Sequence, residues 1–112
     1  MKTEKSTVNF NDLIQGEKPV LVDFTATWCG PCRAMAPILE DVKNKIGDRA
    51  TIVKVDIDRN EQFASMMGIQ GVPTFVLFKN GKEEWRHVGM ISGQQLMSLL
   101  ESHAEKAPAQ QH

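Results

Sequence analysis

Short apolar runs alternate with amphipathic segments along the chain, and their order predicts an α/β domain. Residues 20–24 and 74–78 are nearly continuous apolar runs, a pattern typical of strands that are covered on both faces of a sheet. Between them, the residues after Cys32 show apolar side chains at helical spacing, and Gly47 is placed to end that helix. The apolar positions of this helix are Met35, Ile38, Leu39, Val42 and Ile46.

Shorter patterns predict the remaining elements. Asn80-Gly81 is a strong turn signal, so the residues after it should form the returning strand of a hairpin. Ser92 and Gln95 form a capping-box pattern ahead of a last helix. The other predicted elements, in chain order, are a strand at about residues 6–8, a helix at 10–14, a strand at 51–55, a helix at 61–67 and the hairpin strand at 83–88.

The resulting order, α, β, α, β, α, β, β, α, predicts a central mixed sheet with helices on both faces. The chain of 112 residues is long enough for one domain, which we assign to residues 1–106, and too short for two. The tail at residues 107–112 contains Pro108 and Gln110-Gln111 and is predicted to be disordered.

Composition and charge exclude several classes of protein. The chain is 41% hydrophobic and 24% charged, which is typical of a globular domain that can bury a core without a metal or a disulfide. Its net charge of −1, with no long run of either sign, leaves no basic pattern for nucleic acid. No segment approaches the roughly 20 apolar residues of a membrane span, and the first residues lack the apolar core of a secretory signal. We therefore expect a cytoplasmic monomer that binds neither nucleic acid nor membranes.

Cys29 and Cys32 are the only cysteines, and they lie at a strand-to-helix junction. Their spacing places both on one face of the helix, close enough to open and close a disulfide bond without refolding the chain. Unpaired N–H groups at the helix start favour a thiolate at Cys29, and the thiolate is the attacking species in thiol–disulfide exchange. Cys32, one turn further in, should be less exposed than Cys29 and should attack it to resolve a mixed disulfide.

Two other interpretations of the cysteine pair are weaker. A structural zinc site needs about four ligands, and His87, His103 and His112 have no paired spacing, so we expect no metal. A structural disulfide across two residues would close too small a loop to constrain the unfolded chain much. Reversible redox chemistry is therefore favoured, with the disulfide itself as the redox centre and no separate cofactor.

Asp23 is the one acidic residue in the apolar strand at residues 20–24. Burial of a carboxylate is costly and should raise its pKa. A strand-end aspartate that reaches solvent is the alternative, although the apolar neighbours on both sides favour burial. A buried Asp23 just ahead of the cysteine loop is suited to act as the general base that takes the proton from Cys32, directly or through a water.

Trp28-Cys29-Gly30-Pro31-Cys32 is identical to the active-site motif of the thioredoxins. Further segments also fall where a thioredoxin has them, and the resemblance covers roughly residues 7–104. These segments are Val22-Asp23-Phe24, Gly71-Val72-Pro73-Thr74-Phe75, Phe78-Lys79-Asn80-Gly81 and Val88-Gly89. The resemblance implies the thioredoxin-like fold, with four helices around a central mixed sheet. It also implies a general reductase of protein disulfides that receives its electrons from a thioredoxin reductase.

The resemblance implies roles for single residues as well. Asp23 corresponds to the family's buried base and Lys54, on the adjacent strand, to its charged partner, although a lysine alone is more often a surface charge. Pro73 resembles the family's cis-proline, and the Val72 backbone beside it would pair with an extended substrate strand. From its position next to the reactive cysteine, Trp28 is expected to shield the site, with a core aromatic as the alternative.

Other positions would border the substrate or shape the loop. Met67 and Met90 resemble residues of the family's substrate groove, where methionine is adaptable. Gly89 is expected to allow a close approach of the backbone beside the site, with an ordinary turn glycine as the alternative. Gly30-Pro31 shapes the turn between the cysteines and resembles the reducing thioredoxins, whereas oxidases and isomerases usually carry a histidine there.

Two other functions stay open on the sequence. A thioredoxin-fold subunit that binds a partner regardless of its redox state is disfavoured by the intact cysteines, by Asp23 and by Pro73. A disulfide oxidase or isomerase is disfavoured by Gly30-Pro31 and by the missing secretory signal. We therefore expect a protein-disulfide reductase that acts through Cys29 and Cys32.

Overall fold

A computed structural model of the chain describes residues 10–104. Its elements, in chain order, are α1 (Phe10–Ile14), β1 (Val20–Thr25), α2 (Gly30–Ile46), a short 3-10 turn (Gly47–Arg49), β2 (Thr51–Asp56), α3 (Glu61–Met66), β3 (Thr74–Lys79), β4 (Lys82–Val88) and α4 (Gly93–His103). This order confirms the one predicted from periodicity. The predicted strand at residues 6–8, the domain boundary at residue 106 and the tail at 107–112 lie outside the described residues. None of the described helices is long and apolar enough to cross a membrane.

Within residues 10–104, the strands form one mixed sheet in the order β2-β1-β3-β4. β1 pairs in parallel with β2 and antiparallel with β3, and β4 returns antiparallel to β3. The turn between β3 and β4 has a positive φ at both residues, 54° at Asn80 and 80° at Gly81, as the predicted turn requires. β1 is therefore central, and its Asp23 has Lys54 of β2 on one side and Phe75 of β3 on the other.

The sheet separates two apolar cores, because successive side chains of a strand point to opposite faces. The cluster under α2 and α4 has the buried residues Leu21, Met35, Leu39, Val42, Ile46, Ala50, Phe75, Leu77, Ile91, Leu96 and Leu100. The cluster under α1 and α3 has the buried residues Ile14, Val20, Val22, Phe24, Val76 and Phe78. Because Asp23 follows Leu21 by two residues, its side chain lies on the face that α2 covers.

Glycine and serine caps fix the ends of the two long helices. Gly47 follows α2 with a φ of 63°, which glycine adopts without strain, and its N–H donates to the Lys43 carbonyl. Ser92 caps α4, because its Oγ accepts a hydrogen bond from the Gln95 N–H at 3.1 Å. Both caps confirm the predicted boundaries of these helices.

Candidate active site

The cysteine pair lies where β1 ends and α2 begins. Cys29 caps α2, and its Sγ accepts a hydrogen bond from the Cys32 N–H at 3.1 Å. Pro31 lies in the first turn, where a missing N–H costs no helical hydrogen bond. Cys29 and Cys32 form a disulfide with a Cα–Cα distance of 5.2 Å, which confirms their predicted juxtaposition. The Cys32 N–H and the helix dipole both favour negative charge on the Cys29 sulfur once the disulfide opens.

The expectation that Cys32 is the less exposed cysteine is wrong in this disulfide state. Cys29 is 3% exposed and Cys32 is 7% exposed. The reason is that the loop before β3 covers Cys29: the Val72 carbonyl oxygen lies 3.7 Å from its Sγ, and Val72 packs against the cysteine pair. Cys32, in contrast, borders a cavity of about 220 Å³. The assignment of Cys29 as the attacking residue therefore depends on its position at the helix start and not on its exposure.

The loop that covers Cys29 contains a cis peptide bond between Val72 and Pro73, as the resemblance implies. This loop is joined to the segment after β4, because the Gly89 N–H donates a hydrogen bond to the Pro73 carbonyl at 2.8 Å. The loop and this segment together therefore place the Val72 backbone beside the reactive sulfur.

The Gly89 backbone lies close to the cis-proline loop, as expected, through its hydrogen bond to the Pro73 carbonyl. A Cβ atom at Gly89 would meet no described heavy atom within 4 Å, so packing does not require a glycine. The φ of 100° at this position does require a glycine, because residues with a side chain rarely adopt this conformation. The need for glycine at position 89 therefore comes from its backbone conformation, as in the alternative of a turn glycine. Gly30 differs again: it has no positive φ and equally free space, so its own backbone does not demand glycine.

Three exposed apolar side chains lie on the segments next to the cysteines and the cis-proline loop. Trp28 is 64% exposed, Val88 64% and Met90 48%. Val88 is not among the predicted substrate-binding residues, yet it lies at the end of β4 against Gly71, where its Cγ1 is 3.8 Å from the position of a Cβ added to Gly71. The signal that could have identified it is an apolar residue at the end of a hairpin strand, directly before Gly89.

Trp28 is bonded to a residue that the sequence analysis also missed. Its Nε1 donates a hydrogen bond to the Asp58 carboxylate at 2.8 Å. Asp58 lies in the loop after β2, where its N–H donates to the Asp56 carboxylate at 2.8 Å. The sequence shows only a polar turn here, and nothing in it pairs this turn with Trp28.

Met67, a predicted groove residue, is half-buried and packs against the cluster under α1 and α3. Its carbonyl accepts a hydrogen bond from the Arg86 guanidinium at 2.9 Å. Its neighbour Met66 is 77% exposed. The part of Met67 in substrate binding stays a prediction.

Asp23 is buried, with 3% of its surface exposed, which excludes the alternative of an aspartate that reaches solvent. Its Oδ1 has no hydrogen-bond partner within the described part of the chain. Burial raises the pKa of Asp23 to about 6, and the positive charge of Lys54, directly opposite in the β1–β2 register, acts to lower it. The predicted burial and raised pKa of Asp23 are therefore confirmed.

Asp23 and Cys32 border neighbouring cavities. Asp23 lines a cavity of about 150 Å³, and two of the residues that line it, Ala36 and Lys54, also line the larger cavity beside Cys32. Ala36 lies on α2 and Lys54 on β2, so the helix and the neighbouring strand both contribute to the shared wall. Ala36 and Lys54 therefore separate the cavity that Asp23 borders from the cavity that Cys32 borders.

The histidines considered for a metal site have other contacts. His87 Nε2 lies 3.0 Å from the Met90 carbonyl oxygen, and His103 Nδ1 lies 3.0 Å from the Leu99 carbonyl oxygen. His112 lies outside the described residues. Across residues 10–104, no three side chains of metal-binding type are grouped.

Comparison with known proteins establishes the family. A family model described as Thioredoxin matches residues 2–102, most of the chain. The chain belongs to the thioredoxin family. It is 44% identical over 109 residues to the chloroplastic Thioredoxin Y of Oryza sativa subsp. japonica, and the aligned region covers 96% of this chain and 65% of that protein. It is 46% identical over 92 residues to a Thioredoxin of Alicyclobacillus acidocaldarius, and the aligned region covers 82% of this chain and 88% of that protein.

Solved thioredoxin structures confirm the predicted fold. A mutant thioredoxin from Halobacterium salinarum superimposes with a TM-score of 0.77 at 39% identity, over 88% of this chain and 85% of that one. Thioredoxin NaTrxh from Nicotiana alata gives a TM-score of 0.79 at 41% identity, over 86% and 82% of the two chains. With the Cys29–Cys32 pair at disulfide distance, this thioredoxin-family chain is a thiol–disulfide oxidoreductase, and its relatives support protein-disulfide reductase activity.

Proposed function

We propose that the chain reduces disulfide bonds of other proteins, with Cys29 as the attacking residue and Cys32 as the resolving one. The Cys29 thiolate attacks one sulfur of the substrate disulfide, which forms a mixed disulfide and releases the other substrate sulfur as a thiolate. Deprotonated Cys32 then attacks the Cys29 sulfur, which frees the second substrate thiolate and closes the Cys29–Cys32 disulfide. The observation that carries this assignment is the hydrogen bond from the Cys32 N–H to the Cys29 Sγ at the start of α2.

Asp23 is the proposed base for the Cys32 proton. With a pKa of about 6, its carboxyl group is mostly ionised at pH 7 and can accept a proton. The adjoining cavities bordered by Ala36 and Lys54 offer a route for that proton through water. Lys54 favours the ionised form of Asp23 and therefore keeps it ready to accept.

The proposed substrate is an extended protein segment that contains a disulfide. The Val72 backbone beside Cys29 can pair with such a segment, in the manner of an added strand. Trp28, Val88 and Met90 supply exposed apolar surface around it, and surface of this kind marks interaction sites.

Each turnover leaves the Cys29–Cys32 disulfide, so continued activity requires a donor of two electrons. We expect a thioredoxin reductase to supply them, as membership of the family suggests. The cytoplasmic location, the monomeric state and the absence of nucleic-acid and membrane partners stay predictions. The rice relative is, by its name, a chloroplast protein.

Insulin reduction with a dithiol donor tests the proposal. The wild type should accelerate the precipitation of the reduced insulin B chain, and Cys29→Ser should not, because no attacking thiolate remains. The reduction potential of the Cys29–Cys32 pair separates a reductant from an oxidase, since a difference of about 30 mV shifts the exchange equilibrium about tenfold. If wild type and Cys29→Ser both left insulin precipitation at the rate of the dithiol donor alone, a redox-independent binding subunit would be favoured.

A further inference from the structure

One stripe of α2 lines one side of the cavity beside Asp23. Ala36, Leu39, Glu40 and Lys43 line it from the helix, and Ile52 and Lys54 line it from β2. Leu39, Glu40 and Lys43 follow Ala36 by three, four and seven residues, so the four positions share one face of the helix. A face that covers a buried strand is normally apolar. Here two of its four positions carry charges of opposite sign.

The charged side chains that line the cavity, two from α2 and one from β2, form no ion pairs in the described part of the chain. Within residues 10–104, neither Glu40, Lys43 nor Lys54 has an ion-pair partner, whereas Asp41 and Lys45, on the same helix, pair with each other at 3.0 Å. The charged side chains that line the Asp23 cavity are therefore Glu40 and Lys43 from α2 and Lys54 from β2. From β3, the neighbour in register is the uncharged Phe75.

We infer that Lys43 and Glu40 are positioning residues that set the pH range over which Asp23 takes up a proton, Lys43 by favouring the carboxylate and Glu40 by opposing it. The inference rests on the proposed role of Asp23 as the base for Cys32. Glu40, Lys43 and Lys54 are exposed, so solvent partly screens their charges, but each borders the cavity into which the buried Asp23 carboxyl group faces, and a charge at that distance still shifts its protonation. Since the two helical charges have opposite sign and share one face, each offsets the other, and Lys54 supplies the remaining positive charge.

NMR titration of the Asp23 carboxyl carbon, in the oxidised protein, tests directly whether the charges of Lys43 and Glu40 change the protonation of Asp23. Lys43→Gln should raise the pH at which Asp23 titrates and Glu40→Gln should lower it, each on the order of half a pH unit. Lys45→Gln is the matched control, because it removes an exposed lysine from the same last turns of α2 and should leave the Asp23 titration unchanged. Both shifts should shrink in about 1 M salt, as expected for charges near solvent.

The effect on the reaction is measured from the pH dependence of the resolving step, in which Cys32 attacks Cys29 of a preformed mixed disulfide and releases the substrate thiolate. The acid limb of this profile should move with the Asp23 titration, upward for Lys43→Gln and downward for Glu40→Gln. Equal shifts for Lys43→Gln and Lys45→Gln, or shifts in the same direction for Lys43→Gln and Glu40→Gln, would overturn the inference. A wild-type profile for Asp23→Asn would instead show that the proposed base role is wrong.

Discussion

Asp23 lies directly opposite Lys54 in the parallel register of β1 and β2, yet the buried carboxyl group and the exposed lysine do not form an ion pair within the described residues. The carboxyl group is therefore influenced by a positive charge without being neutralised by it. Burial dominates, and the pKa of Asp23 stays raised at about 6. This balance keeps Asp23 available as a base near neutral pH and makes it a source of instability.

Asp23→Asn should stabilise the oxidised protein at pH 7. The folded-state pKa is raised from 3.8 to about 6, so the ionised form is disfavoured in the folded state. As pH rises above the unfolded-state value, wild-type stability falls, and above about 6 the loss is constant at about 3 kcal/mol at most. Urea unfolding from pH 4 to 8 should show an Asn variant that is more stable at pH 7, with the difference vanishing towards pH 4.

The control for this prediction is Asp41→Asn, which alters an exposed carboxylate that pairs with Lys45. Its effect on the free energy of unfolding should be within about 0.5 kcal/mol at every pH. An Asp23→Asn variant that is less stable than wild type at pH 7 would contradict the account.

The order of elements and the burial of Asp23 could be predicted because both depend on local pattern. Continuous apolar runs require coverage on both faces, and an acidic residue between apolar neighbours is then buried with them. Cap residues such as Gly47 and Ser92 act within one turn of their helix, so their effects are also readable from the sequence.

The features that were missed depend on contacts between distant segments. The loop at Val72 covers Cys29 from 43 residues away, which reverses the expected order of cysteine exposure. Asp58 binds Trp28 across 30 residues, and no pattern in either loop indicates the pairing. The need for glycine at position 89 comes from its φ of 100°, which cannot be read from residue type alone.

Gly89→Ala should destabilise the oxidised protein by about 1–3 kcal/mol, because a φ of 100° is strained for any residue with a Cβ. Gly30→Ala is the matched control, since it adds the same methyl group where no positive φ and no close neighbour oppose it. Thermal unfolding of both variants distinguishes backbone strain from packing. Equal losses in the two variants would show that the conformation of Gly89 is not the cause.

Val88→Glu should weaken substrate binding while the fold is retained. Val88 is 64% exposed beside the cis-proline loop, so a charge there removes apolar contact area from the substrate and little from the core. The KM for insulin should rise several-fold with kcat less affected. Met66→Glu alters another strongly exposed apolar residue, on α3, and should leave KM near wild type. The same KM increase for both variants would argue against a localised groove.

Asp58→Ala should loosen Trp28 without unfolding the protein. The exposed hydrogen bond between them contributes about 1 kcal/mol or less to stability. The expected readout is a change in the tryptophan fluorescence of the oxidised protein and a higher KM for insulin. Asp58→Asn keeps an oxygen acceptor and should restore most of both, whereas identical behaviour of the two variants would indicate that charge rather than the bond matters.

The central claim, that Cys29 attacks and Cys32 resolves, is tested most directly by trapping the intermediate. Each single-serine variant is reduced, mixed with a disulfide-containing peptide and analysed by intact mass spectrometry after a rapid acid quench. Cys32→Ser should accumulate a stable one-to-one mixed disulfide through Cys29, and Cys29→Ser should form little adduct, because a thiolate at Cys32 lacks the position at the start of α2. Faster adduct formation by Cys29→Ser than by Cys32→Ser would contradict the account.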